Sequence, residues 1–208
     1  MTKVLAFDVD GVLTCDSCSA RRKAEQAKLV REMIDMAKAQ GYHVAVNTAR
    51  PYPSYEVQPH RELHRVSDAV VAELRRANGD DAIQVCSRPR GSGVEVSERK
   101  AQCQQKLIEH FGTKAPGASP PEPNMAILIE DNPSNYVRVG SLQGKVDAHG
   151  AVSNGILVPE ANGVTEDSVS QLRRALASQD GHSDHLRRSR AVLAVAVETE
   201  TGPAAGMR

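Results

Sequence analysis

The chain of 208 residues contains no Trp, two Phe and four Tyr, so its core must be built from aliphatic side chains. It also lacks an excess of charge of either sign, with 26 basic and 26 acidic side chains. Proteins that bind nucleic acid in bulk or an anionic membrane surface are usually basic, so neither partner is expected. No apolar run reaches the ~18 residues that would suggest a membrane-spanning helix. The N-terminus leads almost directly into a short apolar run, without a charged segment and longer hydrophobic stretch before it, so no signal peptide is expected. Four cysteines are too few for a disulfide scaffold, and a reducing, cytoplasmic setting is the default. Cys15-Asp16-Ser17-Cys18 is then expected to be a plain flap. It has no thioredoxin-like context, and Cys86 and Cys103 lie too far along the chain to complete a zinc site.

What is present is an alternation of short apolar runs and helical patterns. Val4 to Phe7 is continuously apolar, as befits a strand buried on both faces. Residues 21–40 carry Leu29, Met33, Ile34 and Ala37 on one stripe, and Gly41 ends that helix. His43 to Asn47 is a second strand. Leu63, Val66, Val70 and Leu74 recur at helical spacing up to Gly79. Ala82 to Cys86 is a third strand, and a helix beginning near Ser97 bears Cys103, Leu107 and Phe111. A loop with four prolines follows over 113–124. Met125 to Ile129 is the fourth strand, with Asn132 as the cap and Pro133 as the first residue of the next helix. A weaker strand is expected near Gly155 to Val158, and Val169, Leu172 and Leu176 mark a last helix. From Ser178 the pattern fades into a partly irregular tail, 178–208, interrupted by the apolar stretch Ala191 to Val197. Such alternation predicts an α/β domain over 1–177 with a mainly parallel sheet.

Ligands of open parallel sheets bind beyond the carboxyl ends of the strands. There the sequence places Asp8-Val9-Asp10-Gly11 after strand one and Thr48-Ala49-Arg50 after strand two. Lys100 follows strand three at the start of a helix, and Glu130-Asp131-Asn132 follows strand four. Clustered carboxylates can hold a hard cation such as Mg²⁺. A free carboxylate can attack phosphorus, and a hydroxyl with an ammonium can bind phosphoryl oxygens.

VLAFDVDGVLT, from Val4 to Thr14, resembles the first motif of the haloacid dehalogenase superfamily. Thr48 after VAVN resembles the second, Lys100 the third, and ILIEDN ending around Asp131 the fourth. The resemblance covers residues 4 to 158, about three quarters of the chain. The first motif is highly specific, the fourth less so, and the other two are weak alone. The fourth departs from the common Gly-Asp-x-x-x-Asp form. Glu130-Asp131 followed by Asn135 is closer to the Asp-Asp-x-x-x-Asn variant of some capless members.

The resemblance implies a Rossmann-like three-layer sandwich and a Mg²⁺-dependent phosphomonoester hydrolase. Asp8 would be the nucleophile that forms an aspartyl-phosphate, with Asp10 as general acid and then base. Thr48 and Lys100 would serve the phosphoryl group. Asp8, Asp131 and the Asp10 backbone carbonyl would hold Mg²⁺, with Glu130 and Asn135 bracing the site. Asp10 favours phosphoester chemistry, since the dehalogenases of the superfamily lack a second Asp there. Lys100 itself breaks a local rule, because a cation in a first helical turn opposes the helix dipole.

Neither the short stretch after Thr14 nor the segment between Thr48 and Lys100 leaves room for a sizeable cap domain. Capless members act on phosphorylated macromolecules or small molecules, and some borrow a neighbouring copy as a lid. The proline-rich loop Arg50 to Pro59 is expected to overhang the site and to offer Arg50, Tyr52 and Tyr55 to the leaving group. Arg88, Arg90, Gly91 and Gly93 form a second candidate rim. His60 and His64 read as an exposed helix face, and Arg187, Arg188 and Arg190 as a solvated cluster.

Three other readings are weighed. A response-regulator receiver also uses Asp, Thr and Lys, but its acidic groups precede the Thr and Lys. A glycosyltransferase D-x-D lies well inside its chain, whereas Asp8 stands near the start. The remaining alternative is a non-catalytic module of the same fold that binds a phosphate or a partner.

Overall fold

The computed structural model describes residues 3–51, 58–60, 74, 76, 83–88, 93–112, 126–142, 155–159 and 162–177. Six strands form one sheet: β1 (Lys3–Phe7), β2 (Tyr42–Pro51), β3 (Gln58–His60), β4 (Ile83–Arg88), β5 (Ala126–Glu130) and β6 (Gly155–Leu157). Their order is β3-β4-β2-β1-β5-β6. Five strands are parallel, and β3 alone pairs antiparallel, against β4 at the edge. Among the described residues, helices with both ends defined are α1 (Ala20–Ala39), α2 (Val96–Gly112), α3 (Pro133–Leu142) and α4 (166–177).

The period-two alternation of strands sorts the core into two layers. Leu5 and Phe7 of β1 join Val44, Val46, Ile127 and Ile129 on one face. There they meet Leu29, Val30, Met33 and Ile34 of α1 and Val169, Leu172 and Leu176 of α4. Val4 and Ala6 point the other way, with Ala45, Cys86, Ala126 and Leu128, onto Ala101, Cys103 and Leu107 of α2 and Val139 of α3. This gives a Rossmann-like α/β/α sandwich. The α2 side uses many small residues (Ala6, Ala45, Cys86, Ala101, Ala126), which suits a helix lying close to the sheet. The few aromatic rings of the described core are Phe7, wholly buried at the end of the central strand, with Tyr42 on the same face and Phe111 on the other.

Local signals hold the helix ends. Ser19 caps α1, its hydroxyl accepting from the Arg22 N–H at 3.2 Å. Gly41 closes the helix at φ 78°, a left-handed conformation that glycine adopts without strain. Asn132 Oδ1 accepts from the Ser134 and Asn135 N–H groups at 2.9 and 3.3 Å at the start of α3. Thr165 and Ser168 cap α4 reciprocally, each hydroxyl accepting the other's N–H.

Four sequence expectations need correction. β2 runs to Pro51, past Asn47, so Thr48 and Arg50 belong to the strand and not to a loop after it. The register against β4 shifts between Asn47 and Pro51, which is why the hydrophobic pattern stops before the strand does. Gln58–His60 is an edge strand, so the segment after Arg50 is not a loop throughout and His60 is not on a helix. β4 extends to Arg88, which is therefore a strand residue and not part of a rim loop. Leu74 and Arg76 are helical as expected, and Leu74 is buried. Tyr52, Tyr55, His64, Arg90, Gly91, the loop over 113–124 and the tail from Ser178 lie outside the described residues.

Candidate active site

The strand order reverses at β1. From there the chain builds outward to β2 and β4 on one side and to β5 and β6 on the other. In open α/β sheets the crevice at such a reversal is where ligands bind. β1 and β5 are paired up to Phe7 and Ile129, and the next residue, Asp8, still donates its N–H to Ile129 O at 2.9 Å. The two neighbouring strands thus end in Asp8 on one side and Glu130-Asp131 on the other.

Beyond Asp8 the chain turns tightly around one carbonyl. Val9 O accepts from the N–H groups of Leu13 and Thr14 and from the Thr14 hydroxyl. Buried Val9, Val12 and Leu13 root this loop in the core. Gly11 is required twice over. Its φ of 72° is left-handed, and the Asp131 carboxylate occupies the space a β-carbon on residue 11 would need. Gly11→Ala should cost about 1–3 kcal/mol from backbone strain alone and should displace Asp131. Urea unfolding combined with Mg²⁺ titration checks both effects; unchanged Mg²⁺ binding would separate Asp131 from any metal site.

Asp8 is buried, and its Oδ1 accepts from the Val9 N–H and from Lys100 Nζ, both at 2.6 Å. Oδ2 carries no hydrogen bond among the described residues. Lys100 is also wholly buried, and its ammonium is ringed by oxygens. It forms ion pairs with Asp8 Oδ1 at 2.6 Å and Glu130 Oε2 at 3.0 Å and donates to the Asn47 carbonyl at 2.9 Å. Glu130 also accepts at Oε1 from the Asn132 N–H and Asn135 Nδ2, each at 3.2 Å. Glu130 therefore braces Lys100 and the entry to α3, and Asn135 braces Glu130.

The cluster holds more negative than positive charge in a dry place. Carboxylate oxygens of Asp8, Glu130 and Asp131 lie within 4.8 Å of one another, against the single ammonium of Lys100. Burial, reinforced by Glu130 and only partly offset by Lys100, pushes Asp8 up to about 7. Burial, with the charge of Asp8, also raises Asp131. Burial alone would discharge Lys100, but Asp8 and Glu130 outweigh it and hold the amine above the usual lysine value. Asp8, Asp131 and Lys100 are each driven to keep a proton, and a hard divalent cation on the carboxylates would relieve the same repulsion. The donor set, all oxygen, fits such an ion.

Thr48 is buried, and its hydroxyl accepts from the Arg50 N–H at 3.2 Å. Asp10 lies apart from the carboxylate cluster. Its side chain, on the loop after Asp8, pairs with the Arg50 guanidinium from β2, so Arg50 is engaged with Asp10 and not held out towards solvent alone.

Sequence reasoning missed Asn47. Its amide donates to the Lys100 carbonyl at 2.9 Å and to Gln104 Oε1 at 3.0 Å, and its own carbonyl accepts from Lys100 Nζ. The available signal was a polar residue closing the apolar run VAVN. Gln26 was missed too. Buried on α1, it donates to Val12 O and fills the space beside Gly163, and so ties the catalytic-looking loop to the 162–164 turn. Its signal was an amide at helical spacing from Leu29, Val30 and Met33.

Cys15 and Cys18 are joined as a disulfide across the turn that leads into α1. The expected plain flap is therefore stapled. Cys86 and Cys103 are not disulfide-bonded and are buried in the α2 layer. No described helix is long and apolar enough to cross a membrane. No protein-family model matches the chain, and no curated protein matches it.

Proposed function

We propose that the protein is a capless, Mg²⁺-dependent phosphomonoester hydrolase of the haloacid dehalogenase type. The observation that carries the reading is Asp8: a buried carboxylate at the sheet's reversal point, one oxygen fixed by Lys100 and the Val9 N–H. The resemblance of VLAFDVDGVLT to the first motif of that superfamily supports it, as do the ion pair of Asp8 with Lys100 and the approach of Asp131 to Asp8.

In this reading Asp8 Oδ2 attacks phosphorus as the bond to the leaving oxygen breaks. Asp10 gives that oxygen its proton. The aspartyl-phosphate is then hydrolysed by a water whose proton Asp10 takes, which returns both residues to their starting forms. The Thr48 hydroxyl, already accepting from Arg50 N–H, keeps its own proton for a phosphoryl oxygen. Lys100, wholly buried, holds Asp8 in place and compensates its charge, and so acts on substrate through Asp8. Asp8, Asp131 and the Asp10 carbonyl would hold Mg²⁺, which supplies charge neutralisation for the phosphoryl oxygens when bound.

Hydrolysis of p-nitrophenyl phosphate tests the reading. Activity with Mg²⁺ that disappears with EDTA is expected, together with a phosphorylated Asp8 trapped on rapid acid quench. Mg²⁺-dependent phosphate binding without turnover would favour the binding-module alternative.

A pH dependence follows from Asp8. A proton and Mg²⁺ compete for its carboxylate, and with Asp8 at about 7 the apparent Mg²⁺ affinity should fall about tenfold from pH 8 to pH 6. In the metal-free protein the folded state holds a proton on Asp8 between pH 4 and 7 that the unfolded chain, near the ordinary 3.8, has lost. Stability from this group therefore rises as pH falls from 7 towards 4. Mg²⁺ titrations by calorimetry across this range check the first effect, and a flat profile would remove Asp8 from the ligands.

A further inference from the structure

Asp10 and Arg50 occupy one another. They are 40 residues apart in the chain. Arg50 Nε lies 3.1 and 3.0 Å from the two Asp10 carboxylate oxygens, and Nη2 also bonds Oδ1. A planar guanidinium grips a carboxylate with a directionality that an ammonium lacks. The side chains are 34% and 59% exposed, so this pair stands at the mouth of the site, where solvent screening makes it exchangeable. Arg50 is anchored there by its backbone, whose N–H binds the hydroxyl of Thr48.

Two consequences meet at this pair. While Arg50 grips both oxygens, the orientation of the Asp10 carboxylate is set by the guanidinium. Lys100 is wholly buried and ion-paired with Asp8 and Glu130, away from an anion at the mouth. Among the described residues, Arg50 is a cation that an incoming phosphoryl group can reach at the mouth, and reaching it weakens the hold on Asp10.

We propose that Arg50 is a positioning residue that latches Asp10: the pair holds in the resting site and opens when an anionic oxygen of the substrate takes the guanidinium. The inference rests on the phosphatase reading. It makes a phosphate dianion, as ester or free ion, the ligand class that frees the Asp10 carboxylate to take up from solvent the proton it then gives the leaving oxygen. Asp10 would then be exposed for proton transfer only with substrate in place, an economical substitute for a cap.

The test is a double-substitution cycle with inorganic phosphate as the probe, at saturating Mg²⁺, read by calorimetry. Asp10→Asn should tighten phosphate about tenfold, because Arg50 no longer has to leave a partner. Arg50→Met should weaken it about tenfold. In the Arg50→Met background, Asp10→Asn should then have little effect, so the two substitutions are coupled. Equal tightening by Asp10→Asn with and without Arg50 would reduce the effect to simple removal of charge and overturn the latch. Arg50→Lys, which keeps the charge and loses the fork, should show a reduced coupling, and it serves if Arg50→Met does not fold. A purely structural Arg50 would lower the melting temperature without coupling to phosphate affinity. Wild type that neither binds phosphate nor forms a phosphoenzyme removes the phosphatase reading and the latch together. Wild type that does both, with additive substitutions, removes the latch alone.

Discussion

Asp8→Asn should abolish turnover, by a factor of about 10⁴ or more, while leaving a folded protein. The scale is that of deleting a covalent nucleophile from a site whose other groups remain. Retention of the fold follows from the same geometry. Asp8 is buried, and its carboxylate is pushed up to about 7 because burial and Glu130 outweigh what Lys100 gives back. A neutral amide of the same shape can still accept at the oxygen facing Lys100 and the Val9 N–H. It also removes one charge from a cluster with too many of one sign. The denaturation midpoint at pH 8 should therefore be unchanged or higher. Rapid-quench phosphoenzyme trapping and denaturant unfolding on the same sample measure the two effects. An active Asp8→Asn enzyme would end the covalent mechanism, and an unfolded one would make Asp8 a structural residue first.

Lys100→Met should have the opposite profile and destabilise the metal-free protein by about 3–5 kcal/mol at pH 8, the cost of breaking a buried ion pair and leaving its partner charges unpaired. Total stabilities are only about 5–15 kcal/mol, so this substitution should bring the chain close to unfolding. The mechanism is specific. Lys100 Nζ is shared by Asp8, Glu130 and the Asn47 carbonyl, and its loss strands two buried carboxylates and one buried carbonyl. Methionine fills the same space, so packing is not the cause. The penalty should shrink at pH 5, where Asp8 can take a proton. Mg²⁺ should recover part of it at pH 8 by neutralising the same carboxylates. Urea unfolding at both pH values, with and without Mg²⁺, measures this. A small, pH-independent penalty would mean that Lys100 is not the counter-charge of the cluster.

These two residues also mark what could be read in advance. Asp8 announces itself, because an acidic residue directly after a four-residue apolar run has few reasons to be there. Lys100 was visible as a weak motif resemblance and as a cation expected in the first turn of a helix, though the helix begins at Val96 and leaves it just past that turn. Its three oxygen neighbours were not visible, because two of them come from the ends of other strands. Asn47 carried almost no signal. One polar residue after VAV is ordinary, and only the register of β2 beside α2 turns it into a clamp on Lys100. Glu130 was legible as a member of the acid pair, while its division between Lys100 and Asn135 depends on how β5 meets α3.

The sequence by itself determined the alternation of strands and helices, the caps at Gly41 and Asn132, and the order in which Asp8, Thr48, Lys100 and Asp131 occur along the chain. These are local properties, set by periodicity of two or 3.6 residues and by single-residue backbone preferences. Only the tertiary structure decided that β2 continues through Thr48 and Arg50, that β3 turns back as an antiparallel edge, and that Cys15 is bonded to Cys18. It also decided that Arg50 grips Asp10, where the sequence pointed it at a leaving group. The reason is physical. A charged side chain at a strand end finds its partner among residues brought alongside by the sheet, and no pattern along the chain encodes which neighbour that will be.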